Sequence, residues 1–132
     1  MEADTLTQND APTTKKHSLI ASDRVEGTPV RRPNGDKIGT IQRLMVDKLS
    51  GKVAYAVLGF GGFIGIGQKH LPIPWSRLNY DPDSGAYQLD LSDEELELAP
   101  AYEANKEFDW GDRSEEVRIH DYYQAPRYWG GY

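Results

Sequence analysis

Sixteen consecutive residues from Val53 to Gln68, VAYAVLGFGGFIGIGQ, carry no charge, in a chain where 27% of all residues are charged. A run like this has to be covered by something. It is shorter than the roughly 20 apolar residues that cross a bilayer, and its glycines make it a poor helix. Its first half, Val53 to Phe60, has apolar residues on both faces, with small ones at Ala54 and Ala56, which predicts a strand covered on both sides. Its second half is a glycine loop carrying Phe63, Ile64 and Ile66. A second strand, Lys69 to Ile73, follows, and Pro72 and Pro74 predict an edge position because proline cannot donate to a ladder.

The flanking sequence supplies the rest of a sheet. Residues 1–17 lack apolar periodicity and read as a disordered leader. A short anchoring segment near Leu19 to Val25 precedes a strand through Thr28 and Val30. Pro33-Asn34-Gly35-Asp36 predicts a hairpin with a tight two-residue Asn-Gly turn. The returning strand, Lys37 to about Asp47, does not keep one parity: Ile38, Leu44 and Val46 share a face that Ile41 and Met45 do not, so a bulge near Gly39 is expected. Lys48 to Gly51 is the next turn, Trp75 to Leu78 a corner, and Pro82 to Gly85 the turn of a further hairpin. Ser92 to Glu95 fits a capping box opening a short helix that Pro100 ends. Asp112 to Glu115 suggests a second box before a helix running toward Tyr123.

Short strands joined by hairpins, with no alternation of strand and helix, predict a mainly β fold: a small antiparallel barrel with short C-terminal helices. The expected divisions are the leader at 1–17, the barrel at 18–100 and an acidic, aromatic extension at 101–132. The extension is too aromatic for a plain tail, with Tyr128 and Trp129 near its end, and is expected to dock.

Charge is divided along the chain. Lys15 to Arg77 holds eleven basic and four acidic residues, and Asp81 to Asp121 holds fourteen acidic and three basic ones, within a net charge of −6. The expectation is that the two parts face each other or are solvated. An overall acidic chain is a poor match for DNA, and RNA binding is retained only as the alternative, through a basic face of Arg31, Arg32, Arg43, Lys48 and Lys52. The absence of cysteine excludes disulfides and thiolate chemistry. The polar N-terminus lacks the basic start and apolar run of a secretory signal, which points to the cytoplasm.

No catalytic constellation stands out. The glycine loop is followed by Gln68-Lys69-His70 and a proline-bearing strand, which fits neither a phosphate loop nor a dinucleotide fingerprint. His17, His70 and His120 have no ligand-like spacing, so no metal is expected. Glu94-Glu95 and Glu115-Glu116 lie in helix first turns, where the dipole favours carboxylates. Neither cofactor nor enzymatic activity is expected.

The succession Gly27-Thr28-Pro29-Val30, Asn34-Gly35, Ile38-Gly39, Val46-Asp47, Ala54-Tyr55-Ala56-Val57, Gly61-Gly62-Phe63-Ile64-Gly65-Ile66-Gly67 and Pro72-Ile73-Pro74-Trp75 resembles the PRC-barrel domain. That module is found in the cytoplasmic part of the photosynthetic reaction-centre H subunit, in the C-terminal half of the ribosome maturation factor and in stand-alone bacterial proteins. The resemblance covers Leu19 to Pro100 and implies a small β-barrel used for binding and assembly. The chain has neither the membrane helix of the first branch nor the additional N-terminal barrel of the second, so it resembles a stand-alone member. The expected role is a self-associating module, a homodimer or higher homo-oligomer, that binds a cytoplasmic protein or a membrane complex peripherally. Phe60, Phe63, Ile64, Ile66, Trp75, Tyr128 and Trp129 are the candidate interface residues, because contiguous apolar surface on loops marks contacts.

Overall fold

The computed structural model describes residues 18–60, 68–103 and 106–129. The expected leader therefore lies outside the described residues. Among the described residues, seven strands form one sheet: β1 (Pro29–Arg31), β2 (Lys37–Val46), β3 (Val53–Phe60), β4 (Lys69–Pro74), β5 (Asn79–Asp81), β6 (Ala86–Gln88) and β7 (Tyr102–Glu103). Three α-helices accompany them among the same residues: α1 (Ser22–Val25), α2 (Asp93–Leu98) and α3 (Arg113–Tyr123).

The strand order is β5-β6-β1-β2-β3-β4-β7. Among the described residues the ladder runs from β5 to β7 with no pairing between those two ends, so the expected closure is not part of it. One pairing is also not antiparallel. β6 lies parallel to β1, with Val30 opposite Tyr87 and Arg31 opposite Gln88. β6 arrives as half of its own hairpin with β5, so no tight turn to β1 fixes its direction.

β3 is buried along its length from Ala54 to Gly59, as its sequence predicts for a doubly covered strand. The expected edge position of β4 is corrected, because β7 pairs with it at Lys69 and His70. Those two residues precede Pro72 and Pro74, so the prolines lie beyond the reach of β7 and remain compatible with the ladder. In place of solvent, α3 packs against β4.

The parity conflict in β2 is resolved by register shifts. Val30 pairs with Gly39 and Arg31 with Lys37, which leaves Ile38 as the extra residue next to the expected position. That bulge stands where Ile38 and Ile41, of opposite parity, are both buried, and a further shift follows at Gln42, between Ile41 and Arg43. Gly39 is required there, because a Cβ on it would sit 2.1 Å from the Gly59 carbonyl oxygen.

The Asn-Gly turn is longer than expected. Gly35 donates to the Arg32 carbonyl and Arg32 to the Asp36 carbonyl, both at 2.8 Å, and only Gly35 of the loop has a positive φ, +98°. Pro33 takes the position its fixed φ suits, and Gly35 forms the bulge that completes a three-residue loop. The β2–β3 and β5–β6 hairpins use one shared device, Asp47-Lys48-Leu49-Ser50-Gly51 and Asp81-Pro82-Asp83-Ser84-Gly85. In each, the aspartate carboxylate accepts from the serine hydroxyl, at 2.7 and 2.8 Å. The glycine amide then closes on the aspartate carbonyl with a left-handed φ.

The core gathers Val30, Ile41, Tyr55, Leu58, Leu71, Ile73 and Leu89 from the sheet with Ile119 and Tyr123 from α3. Each such large apolar side chain is worth about 1.5–3 kcal/mol on burial. Ser92 and Glu95 form the expected capping box of α2. At α3 the second box does not form. Asp112 accepts from Ser114, while Glu115 instead reaches forward to Arg118 at 2.6 Å.

Candidate functional site

α3 carries Glu116, Ile119, His120 and Tyr123 on one face, at the three- and four-residue spacing of a helical stripe, and all four are buried. The stripe lies over the start of β3, where it meets Tyr55. The Tyr55 hydroxyl stands 2.9 Å from Glu116 Oε1 and 2.8 Å from His120 Nε2. Gln124 ends the helix in the left-handed region, φ 52°, and turns the chain back along it. His120 Nδ1 then faces the Pro126 carbonyl at 3.1 Å, and the Tyr128 hydroxyl donates to Glu116 Oε1. Arg113 donates to Glu116 Oε2 and to the Tyr128 hydroxyl, both at 3.2 Å, and lies 4.1 Å over the Trp129 ring.

A carbonyl only accepts, so the Pro126 contact places a hydrogen on Nδ1. Burial pulls the His120 pKa below its ordinary value. The neutral ring then turns its bare Nε2 toward Tyr55, whose single hydroxyl hydrogen faces two acceptors. Burial, followed by the Glu116 carboxylate, pushes the Tyr55 pKa up, and the same causes in the same order push Tyr128 up to about 12. Both phenols therefore stay protonated donors, the opposite of an activated nucleophile or base. Glu116 takes two phenols and one guanidinium. The arrangement joins sheet, helix and C-terminal segment, and all of its polar groups serve that joint.

Next to it, between the β2–β3 turn and α3, opens a cleft of about 330 Å³ lined by Met45, Val46, Leu49, Tyr55, Trp110, Glu116 and Tyr128 among others. Tyr55 and Trp110 are 5.4 Å apart between ring centroids. Val46 and Leu49 are 53% and 85% exposed, and Asp47 and Lys48 lie between them in the lining, so the rim is open and carries apolar and charged side chains together.

The expected interface residues do not gather at one place. Phe63, Ile64 and Ile66 lie outside the described residues. Phe60 and Trp75 are half-buried and pack on the core, Trp75 with its ring 5.4 Å from that of Tyr87. Tyr128 and Trp129 dock on their own α3. The five residues of the alternative basic face are strung along β2: Arg31 pairs beside its first residue, and Lys48 and Lys52 flank the turn after its last. Arg32 is tied to Asp93 and to the Leu91 carbonyl.

Sequence reasoning missed Glu116 and His120, reading the first as a helix-dipole carboxylate and the second as isolated. The signal was present in the stripe Glu116, Ile119, His120, Tyr123, which puts two polar groups on the apolar face of α3. Among the described residues, no group of three or more His, Asp or Glu could hold a metal ion, and no helix is long and apolar enough to cross a membrane.

Compared with known proteins, a family model of the PRC-barrel domain matches residues 17–96. A protein of Deinococcus radiodurans, described only as "Uncharacterized protein", is 28% identical over 75 residues, covering 57% of this chain. The match takes up 26% of that relative, so the chain spans about a quarter of its length.

Proposed function

Because the chain belongs to the PRC-barrel domain family, we propose that it is a non-catalytic interaction module whose curved sheet serves as the family's barrel, and that it associates with itself and with a protein partner. The observation that carries this reading is the uncharged run. Its strand half is buried from Ala54 to Gly59, and its loop half adds Phe63, Ile64 and Ile66 in a stretch with no charge to keep them in water. The polar cluster on α3 supports the same reading, since a group of side chains fully engaged in joining three segments has a structural use. RNA association is the weaker alternative, because the basic residues it needs run the length of β2 and Arg32 is engaged.

Light scattering at rising protein concentration tests the proposal, with Phe63→Asp and Ile66→Asp as loop variants. The wild type is expected to form oligomers that both variants lose. A wild type that stays monomeric at high concentration refutes self-association. Retention of RNA that weakens steeply with salt would favour the alternative.

A further inference from the structure

We infer that the cleft beside the β2–β3 turn receives the glycine loop of a second copy, so that copies join head to tail. This rests on the self-association proposed above and assigns the surface that the loop meets. The two features lie at opposite ends of β3. The loop leaves at Phe60, which pairs with Lys69, and the cleft opens at Tyr55, which pairs with Pro74. Five residues of strand separate them, about 17 Å at about 3.3 Å per residue. Half of the eight-residue connection between Phe60 and Lys69 extends at most about 14 Å, and it starts from the far end. A loop cannot fill its own cleft.

The chemistries match. The loop offers Phe63, Ile64 and Ile66 with no charge, and the cleft offers an apolar floor of Met45, Tyr55 and Trp110 behind the exposed Val46 and Leu49, with Asp47 and Lys48 on the same rim. Loop and cleft are different surfaces, so each copy has one of each to offer. A contact of this type closes a symmetric pair where two copies exchange loops reciprocally, and otherwise propagates into a ring or a filament.

Complementary variants test this by light scattering at a concentration where the wild type is oligomeric. Phe63→Asp removes the loop function and Leu49→Asp the cleft function, and Leu49 is exposed enough for its variant to keep the wild-type melting temperature. Each variant alone is expected to be monomeric, with its dissociation constant raised at least about 100-fold by the unpaired carboxylate at the contact. Mixed, they are expected to form a one-to-one complex that grows no further, since one intact loop meets one intact cleft. If Leu49→Asp associates like the wild type while Phe63→Asp does not, the loop keeps its role and the cleft is refuted as its receptor. If both are monomeric and the mixture stays so, an intact loop and an intact cleft do not meet, and the head-to-tail contact is refuted. A monomeric wild type overturns both readings together.

Discussion

Tyr55→Phe isolates one hydroxyl at the junction of β3 and α3. The ring keeps its place against Trp110 and Tyr128, at 5.4 and 5.7 Å between centroids, so packing is preserved. What disappears is the bridge from Glu116 at 2.9 Å to His120 at 2.8 Å. Glu116 loses the one hydrogen that Tyr55 gives and retains Tyr128 and Arg113. A hydrogen bond to a charged group contributes about 1.5–3 kcal/mol, and this one is buried, so the expected loss is about 2–3 kcal/mol. Urea unfolding followed by tryptophan fluorescence reads this directly. With a slope of about 1–3 kcal/mol per molar, the midpoint should fall by about 0.7–3 M at unchanged slope. Tyr80→Phe is the control, because that side chain is 38% exposed, and it should stay within about 0.5 kcal/mol. A Tyr55→Phe midpoint indistinguishable from the control would refute the claim that this hydroxyl holds the joint together.

Two further outcomes follow from other sites. Burial, as the leading cause, holds both His70 and His120 below their ordinary pKa, so the unfolded chain takes up their protons first. Stability is then complete above about pH 6.5 and falls as pH drops below it, by up to about 1.4 kcal/mol per pH unit for each histidine. Melting temperatures from pH 8 to 5 should show this decline, made shallower by His70→Phe, and a flat profile would contradict it. Gly39→Ala forces a Cβ to within 2.1 Å of the Gly59 carbonyl, whereas Gly85→Ala meets nothing closer than 4.0 Å. The first should cost more than about 3 kcal/mol or prevent folding, the second about 1–2 kcal/mol for its left-handed φ. The reverse order in urea midpoints would refute the close-approach argument.

The elements legible in the sequence are those set by local chemistry. The uninterrupted apolar character of Ala54 to Leu58 marks a strand with two covered faces, and Ser92 with Glu95 marks a helix start, because each signal acts within a few residues. The parallel approach of β6 to β1 and the short pairing of β7 with β4 were not legible, since both depend on where distant segments meet. The turns were legible in place and less so in type: Pro33 shifts the turn by one residue because its φ fits the first central position. The repeated Asp-x-x-Ser-Gly was in plain view and went unread. For the candidate site, the sequence marked the loop as unusual through its lack of charge. It did not mark the joint, because Tyr55 reads as one more apolar residue of a strand and its partners on α3 lie 61 and 65 residues further along.

The seating of β1 against β6 has a consequence for the order in which the molecule can be built. Arg32 bonds to the Leu91 carbonyl 59 residues ahead, and Val30 waits almost as long for Tyr87. The meander from β2 to β4 needs only near neighbours, so it can curl while the outer side of β1 is still bare. Synthesis thus passes through a stage at which a short strand offers unpaired backbone groups to any passing chain. Only when the β5–β6 hairpin emerges does the molecule seal that side itself.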